Sequence, residues 1–127
     1  MTVNRNTCIA IAGVSGTTAV IIGAFGSHGL EGKISEEMLD VYHTGVLYHL
    51  IHTLALLSLA FASDSIWASK WASRAAIAWS LGILLFSGSL YVLAITEIGI
   101  LGAVTPFGGV AFIAGWAMII PMRSREI

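Results

Sequence analysis

Three histidines and two tyrosines lie in one charge-free stretch, residues 41–63, and these residue types could do chemistry there. They are Tyr42, His43, Tyr48, His49 and His52. At about 100° per residue on a helix, His49 and His52 lie about 60° apart, on adjoining parts of one face. Ionisable residues at membrane depth usually face the interior of a helix bundle or a water-filled cavity. If the stretch crosses a membrane, we therefore expect His52 to point into the protein and to hold a hydrogen bond.

Three interpretations of these histidines remain open. In the first, neutral imidazoles hydrogen-bond across helices and stabilise the fold, with Ser87 or Ser89 as the expected partner of His52. In the second, the histidines form part of a proton or ion pathway. In the third, they hold a metal or a haem, although the carboxylates that complete a metal site inside a bundle are missing from the stretch. The polar intramembrane candidates are Tyr48, His49, His52, Ser87 and Ser89.

A second group of candidates lies in the segment from His28 to His43, which holds four of the seven carboxylates. The simplest interpretation is a solvated cap over the bundle. The alternative is a docking surface for a basic partner, or a weak divalent-cation site formed by His28, Asp40 and His43. Asp40 and His43 share a helix face at i and i+3. Imidazole together with carboxylate suits zinc and similar metals.

The sequence contains no set of nucleophile, base and orienting residue of the kind that enzymes use. It has no Gly-x-Ser-x-Gly motif, no Cys–His pairing and no paired carboxylates inside a charge-free stretch. A formal charge of −1 provides no basic field for nucleic acid. Cys8 is the single cysteine, so it cannot form an internal disulfide. We therefore expect no cofactor and no nucleic-acid partner, and nothing favours an enzyme.

The elements that must position these residues follow from the distribution of charge. Only 10% of the 127 residues are charged and 57% are hydrophobic, whereas about 25% are charged in an ordinary soluble domain. Four charge-free windows of 25, 23, 22 and 25 residues cover 6–30, 41–63, 75–96 and 98–122. A membrane-spanning helix needs roughly 20 apolar residues, and the windows lack the alternating polarity of a membrane β-strand. We therefore predict an all-α protein, a bundle of four transmembrane helices.

We predict a single membrane domain over residues 1–127, with helices at about 5–26, 35–62, 68–94 and 105–121. Ser35 followed by two glutamates is typical of a helix N-cap. Three glycines in residues 26–33 favour irregular backbone between the first two helices. Thr105 before Pro106 predicts the start of the fourth helix. The alternative is a start near residue 100 with a kink at Pro106.

Small residues mark the faces where we expect the helices to pack closely. In the first helix, Ala12, Gly16, Ala19 and Gly23 recur at spacings of three or four, which places them on one face. Such a face, and an apolar run longer than the roughly 7–15 residues of a secretory signal, predict a retained helix rather than a cleaved leader. The packing residues of the third and fourth helices are Gly82, Gly108 and Gly115.

Basic residues predict the orientation. With four spans, both termini and the middle loop share one side of the membrane, and the other side holds Lys33 as its one basic residue. The positive-inside rule therefore favours a protein of the cell membrane with both termini in the cytoplasm. We expect Tyr91 to be an aromatic anchor near the outer interface. The basic residues of the side with the termini are Arg5, Lys70, Arg74, Arg123 and Arg125.

Four motifs follow one another along the chain: GAFGSHGL at 23–30, TGVLYHLIHTLALL at 44–57, LFSGSLY at 85–91, and TPFGG at 105–109 with the GW pair at 115–116. With these motifs the sequence resembles the domain-of-unknown-function 423 family, which includes the transmembrane-protein-256-like proteins. The resemblance implies a small multi-pass protein of the bacterial cytoplasmic membrane or a related organelle membrane, and it implies no established activity. It also implies that position 49 often carries another polar side chain, which makes His52 and His28 the better functional candidates.

These observations together favour a structural or accessory membrane protein. We expect it to pack with itself, as a homo-oligomer, or with a larger membrane complex, and to have the lipid bilayer as its surroundings. The alternative is a small carrier or proton or ion pathway that uses the histidines of the second helix. A third class is a membrane subunit that binds a cofactor or metal.

Overall fold

Four long helices account for most of the computed structural model, which describes residues 1–123. All four are long and apolar enough to cross a membrane. The polar termini of the helices are joined by short connections, one of which contains the helical turn Asp64–Trp67. The helices are span 1 (Arg5–Leu30), span 2 (Glu36–Ala60), span 3 (Lys70–Thr96) and span 4 (Leu101–Met122).

Side-chain caps explain where spans 1 to 3 begin. The Asn4 side chain accepts a hydrogen bond from the Thr7 amide, and Ser35 accepts one from the Met38 amide. Glu36 and Glu37 occupy the first turn of span 2, where the helix dipole favours negative charge. Ser35 therefore caps span 2 as the sequence predicts. Span 3 begins after Ser69, whose side chain accepts from the Trp71 amide.

The stretch expected to be irregular after the first helix is instead largely helical, and that expectation was wrong. The α-helix Arg5–Phe25 continues as a π-helical turn over Gly26–Leu30. Gly26 is buried against the ring of Tyr42, whose hydroxyl donates to the Ile22 carbonyl at 2.6 Å. In an apolar environment the backbone must satisfy its own hydrogen bonds, which favours continued helix over the freedom of glycine.

Span 3 is one continuous helix with a π-helical turn in its middle. It consists of Lys70–Gly82, the π-turn Ile83–Ser87 and Gly88–Thr96. The π-turn places Ser87 against span 2, where its hydroxyl donates to the Gly45 carbonyl at 2.7 Å. The helix ends at Glu97, which adopts the left-handed conformation common at helix C-termini.

The fourth helix does not start at Thr105. Its α-helical part is Leu101–Ala117, with Pro106 inside, and a 3-10 turn follows at Ile120–Met122. The alternative start near residue 100 is therefore the one observed. Residues before Thr105 are apolar and must satisfy their backbone within the bilayer, so they join the helix. The Thr105 hydroxyl bonds to the Leu101 carbonyl and lies 2.7 Å from the Ser89 hydroxyl.

Spans 2 and 3 form the centre of the bundle. In the most apolar window of each, 44% and 39% of the residues are buried, compared with 22% in span 1 and 17% in span 4. The largest buried cluster lies toward the end of the bundle that carries residues 1–5 and 60–79, and it includes Cys8, Leu56 and Trp79. Spans 1 and 4 thus leave most of their surface facing outward.

Small residues bring the spans together at several points. In span 1, a Cβ on Gly16 would lie 3.5 Å from Thr53 Cγ2, and one on Gly23 would lie 3.4 Å from Val46 Cγ1. Ala12 and Ala19, on the same face, are buried. In span 4, Gly108 lies directly against the backbone of Phe86 in span 3, so even a methyl group at residue 108 would collide.

Candidate functional site

The two buried histidines of span 2 face different neighbours. His49 and His52 are 4% and 3% exposed. His49 contacts side chains from spans 1 and 3, whereas His52 contacts side chains from span 4. The three-residue separation therefore directs them to two sites, and together their hydrogen bonds connect all four spans.

The His49 cluster consists of Ser15, His49, Thr53 and Tyr91. His49 Nδ1 lies 2.9 Å from the Tyr91 hydroxyl, and His49 Nε2 lies 3.1 Å from Ser15 Oγ. Ser15 Oγ lies 2.6 Å from Thr53 Oγ1, which donates to the His49 carbonyl at 2.8 Å. The four side chains form one continuous hydrogen-bonded chain.

The end of this chain determines its direction. A carbonyl only accepts, so the Thr53 hydroxyl donates its one hydrogen to the His49 carbonyl and must accept from Ser15. Because the Ser15 hydroxyl donates to Thr53, it accepts from His49 Nε2–H. His49 Nδ1 is left to accept from the Tyr91 hydroxyl. The arrangement therefore requires a proton on His49 Nε2, and in the neutral imidazole this is the tautomer present.

The His52 cluster consists of Tyr48, His52, Phe112 and Trp116. His52 Nδ1 lies 2.7 Å from the Tyr48 carbonyl, and the Trp116 indole N–H donates to His52 Nε2 at 3.0 Å. The Phe112 ring stacks on the imidazole with a centroid separation of 3.5 Å and an interplanar angle of 9°. A carbonyl only accepts and an indole N–H only donates. His52 is therefore neutral with its proton on Nδ1, the opposite tautomer to His49.

Glycines make room for the aromatic partner in each cluster. A Cβ on Gly45 would lie 2.8 Å from the Tyr91 ring. Because Gly45 has no side chain, the Tyr91 ring is able to pack against span 2 and bond to His49. A Cβ on Gly82 would collide with the Phe112 ring, which packs there while stacking on His52. Gly115 similarly receives the ring of Trp79. These glycines position the clusters without contributing a polar atom.

Ser87 and Ser89 are not the partners of His52, and that expectation was wrong. Ser87 donates to the Gly45 carbonyl, and Ser89 pairs with Thr105 in span 4. His52 instead faces the aromatic side of span 4. Sequence spacing identified the buried face of span 2 but not which neighbour each position on that face meets.

Sequence reasoning missed Ser15 and Trp116, and it misassigned Tyr91. Tyr91 is half-buried and bonded to His49 rather than serving only as an interface anchor. The one available signal was the presence of single polar or amphipathic residues inside otherwise apolar spans. Tyr48 contributes its backbone carbonyl to His52, while its ring packs 4.5 Å from that of Phe86.

The proposed cation site is not assembled. His28, Asp40 and His43 are all exposed. Over residues 1–123, no group of three or more His, Cys, Asp or Glu side chains is placed so that it could hold a metal ion. Because His28 lies in the π-turn that ends span 1, its direction is set by that helix rather than by a loop free to reach Asp40.

Two apolar grooves adjoin the clusters. A groove of about 660 Å³ lies between spans 1 and 3, with His49 and Tyr91 among its walls. A second, of about 440 Å³, lies between spans 2 and 4 beside His52 and Phe112. Both nitrogens of each imidazole are already bonded within the protein. The histidines therefore act as interhelical connectors in this conformation, and neither offers a free lone pair to a ligand.

Comparison with known proteins places this architecture in a family. The sequence model of the family described as "Protein of unknown function (DUF423)" matches residues 22–109. The chain is 51% identical over 114 residues to the UPF0382 membrane protein YwdK of Bacillus subtilis, covering 88% of this chain and 91% of the relative.

Relatives from other bacteria agree. Identity is 44% over 113 residues to the UPF0382 membrane protein SAB0533 of Staphylococcus aureus, covering 88% of this chain and 90% of the relative. It is 42% over 115 residues to the UPF0382 inner membrane protein YgdD of Escherichia coli K12, covering 88% and 85%. No solved structure matches the chain. With four apolar spans and relatives of this similarity, the chain belongs to the DUF423 family of membrane proteins, whose function is uncharacterised.

Proposed function

We propose that the chain is a structural or accessory protein of the cell membrane that packs with itself or with a larger membrane complex. The observation that carries the proposal is that both nitrogens of each buried histidine are bonded within the protein, three of the four bonds being to other spans, so these polar groups hold the bundle together. A carrier needs polar groups that are free to exchange partners. In the His52 cluster both partners have fixed roles.

The outward faces of spans 1 and 4 support a packing role. Val14 in span 1 is 66% exposed and Ile113 in span 4 is 70% exposed, and both spans are mostly unburied. Association between membrane helices depends on van der Waals packing and interhelical hydrogen bonds. Gly13 lies beside Val14 and has no other atom within 4 Å of its Cβ position. A partner helix therefore has room to approach span 1 closely there.

Site-specific photo-crosslinking tests this packing role. A photoreactive amino acid replaces Val14 or Ile113, and Leu54 on the exposed side of span 2 is the matched control. We expect discrete, stoichiometric products from residues 14 and 113 and weaker ones from residue 54. Products of equal yield at all three residues, or none at any, would contradict the proposal.

We further propose that both termini are cytoplasmic. Arg5, Lys70, Arg74 and Arg123 lie on the side of the termini, against Lys33 on the other. A reporter enzyme that is active only outside the cytoplasm, fused after Ile127, should be inactive. The same reporter inserted after Lys33 should be active. The reverse result would overturn the orientation.

A proton pathway is the second candidate, because the His49 cluster is a continuous chain of hydroxyl, imidazole and phenol groups. Each hydroxyl in the chain both donates and accepts, which is what proton transfer along the chain requires. Against this, the chain ends on the carbonyl of His49 itself. Proteoliposomes with an entrapped pH dye test it: a pathway predicts proton flux that His49→Gln abolishes, and a structural role predicts none.

A further inference from the structure

The end of the bundle that carries residues 1–5, 61–74 and 118–123, here called the basic end, contains an apolar groove that shares Trp116 with the His52 cluster and is otherwise lined by other residues. The groove has a volume of about 500 Å³ and lies between the end of span 2 and the end of span 4. Its walls are almost entirely hydrocarbon and aromatic. They include Leu59, Ile66, Trp79, Ile119 and Met122, and the charged residue among them is Arg123.

The cations of the basic end are not balanced by the described carboxylates. In residues 1–123, the ion pair found is Arg5 with Asp64, at 2.7 Å. Asp64 is also the one carboxylate at this end within those residues. Lys70 and Arg74 both lie over the Trp71 ring, at 5.5 and 5.2 Å from its centroid. Arg123 is exposed at the groove.

The size of the groove favours a flexible chain over a helix. With a helix diameter of about 10–12 Å and a pitch of about 5.4 Å, one helical turn occupies roughly 400–600 Å³. The groove therefore accommodates one turn of a partner helix, not a crossing span. A single acyl chain is thin and flexible enough to follow its walls. The guanidinium of Arg123, at the edge of the groove, is a suitable partner for the phosphate of a lipid whose acyl chain lies in the groove.

We propose that this groove binds one anionic phospholipid of the surrounding membrane, with an acyl chain along its apolar walls and the phosphate on Arg123. Basic pockets between transmembrane helices bind anionic lipid headgroups in this way. The lipid covers apolar surface between spans 2 and 4 and brings negative charge to the end where, within residues 1–123, cations outnumber carboxylates. Its contact with Ile119 and Met122 stabilises the last turn of span 4 against the bundle.

The experiment compares lipids on the purified, delipidated full chain. Phosphatidylglycerol and phosphatidylcholine with identical acyl chains are titrated into detergent solution, and binding is measured by native mass spectrometry alongside the melting temperature. We expect saturable binding of phosphatidylglycerol and a raised melting temperature. Phosphatidylcholine should bind at least about fivefold more weakly, which corresponds to one basic contact at a membrane surface.

Two variants and one control test the two halves of the site. Arg123→Gln should weaken phosphatidylglycerol binding about fivefold and phosphatidylcholine binding by less, because the choline cation offsets the phosphate charge. Ser58→Leu adds bulk to the groove wall and should weaken both lipids; Ser58 is exposed and its hydroxyl bonds only within its own helix. Lys33→Gln, at the opposite end of the bundle, should change nothing. Circular dichroism checks that each variant is folded.

Three results would each overturn the proposal. The first is equal binding of the two lipids by the unmodified chain. The second is unchanged phosphatidylglycerol binding in Arg123→Gln. The third is stabilisation by inorganic phosphate alone that equals that of phosphatidylglycerol, because an anion site needs no acyl chain. Failure here leaves the packing role of spans 1 and 4 untouched, since that role rests on other surfaces.

Discussion

His49 and His52 lie one helical turn apart on the same face of span 2, yet their surroundings differ in kind. The His49 cluster joins three spans through hydroxyl groups, and each hydroxyl both donates and accepts. The His52 cluster joins two spans through an indole and a carbonyl, whose roles cannot be exchanged. The first arrangement is a network of hydroxyl groups that ends on a carbonyl, and the second is a fixed pair of hydrogen bonds reinforced by aromatic stacking.

The difference shows how a buried histidine acquires its protonation state. The two imidazoles have the same local sequence context of apolar helix, but they carry opposite tautomers because their partners differ. For His52, taking up a second proton would break the bond from Trp116. For His49, a second proton on Nδ1 would face the Tyr91 hydroxyl, which is able to accept a hydrogen bond as well as donate one. A search for proton-transfer chemistry in this protein should therefore begin at His49.

The largest effect on stability should come from disrupting the close contact between spans 3 and 4, which holds the span 4 side of the His52 cluster in place. Gly108→Ala forces a methyl group into the backbone of Phe86, so span 4 must move and take Phe112 and Trp116 away from His52. We expect the free energy of unfolding to fall by about 3 kcal/mol, which is at the upper end of the range for overpacking. Unfolding in detergent, monitored by circular dichroism, measures it.

Gly109→Ala is the matched control for that change. Its Cβ would lie 3.8 Å from the Phe86 ring, an ordinary contact. It should leave stability nearly unchanged. If both substitutions cost the same, the loss reflects helix or lipid effects and not the close approach of the two spans.

A smaller effect should distinguish the histidines themselves. His49→Leu removes two bonds to other spans, whereas His52→Leu removes one. An interhelical hydrogen bond in a membrane contributes about 0.6–1.7 kcal/mol. We therefore expect the free energy of unfolding to fall by about 1–3 kcal/mol in His49→Leu and by about 1 kcal/mol in His52→Leu. Denaturant titration of both variants provides the measurement. An equal or reversed order would mean that stacking on Phe112, rather than hydrogen bonding, dominates.

The smallest effect tests whether each cluster behaves as a unit. Ser15→Ala and Tyr91→Phe both act through His49, so their losses of stability should be non-additive by about 0.5 kcal/mol or more. Trp116→Phe belongs to the other cluster and should add to Tyr91→Phe within about 0.3–0.5 kcal/mol. Double-mutant cycles measure both quantities. Coupling between Tyr91 and Trp116 that exceeds this limit would show that the clusters are one network.

Particular residues show how far sequence reasoning reached. The N-cap at Ser35 and the four apolar spans follow from local patterns and were predicted. The start of span 4 at Leu101 was only the alternative to a start at Thr105, because a Thr-Pro signal that begins helices in water is overridden where the backbone must bond to itself. The pairing of His52 with Ser87 or Ser89 failed for another reason, since it required the rotation of one helix against another.

By itself the sequence determined a four-span, all-helical membrane protein, because charge-free length and helix-forming backbone are local properties. Only the tertiary structure decided which partner each histidine has. His49 meets Ser15 across 34 residues of sequence and His52 meets Trp116 across 64. Those meetings depend on the axial position and rotation of each helix, which contacts such as Gly108 on Phe86 set. A shift of one residue turns a helix by about 100°, so interhelical pairing is decided by packing and not by spacing.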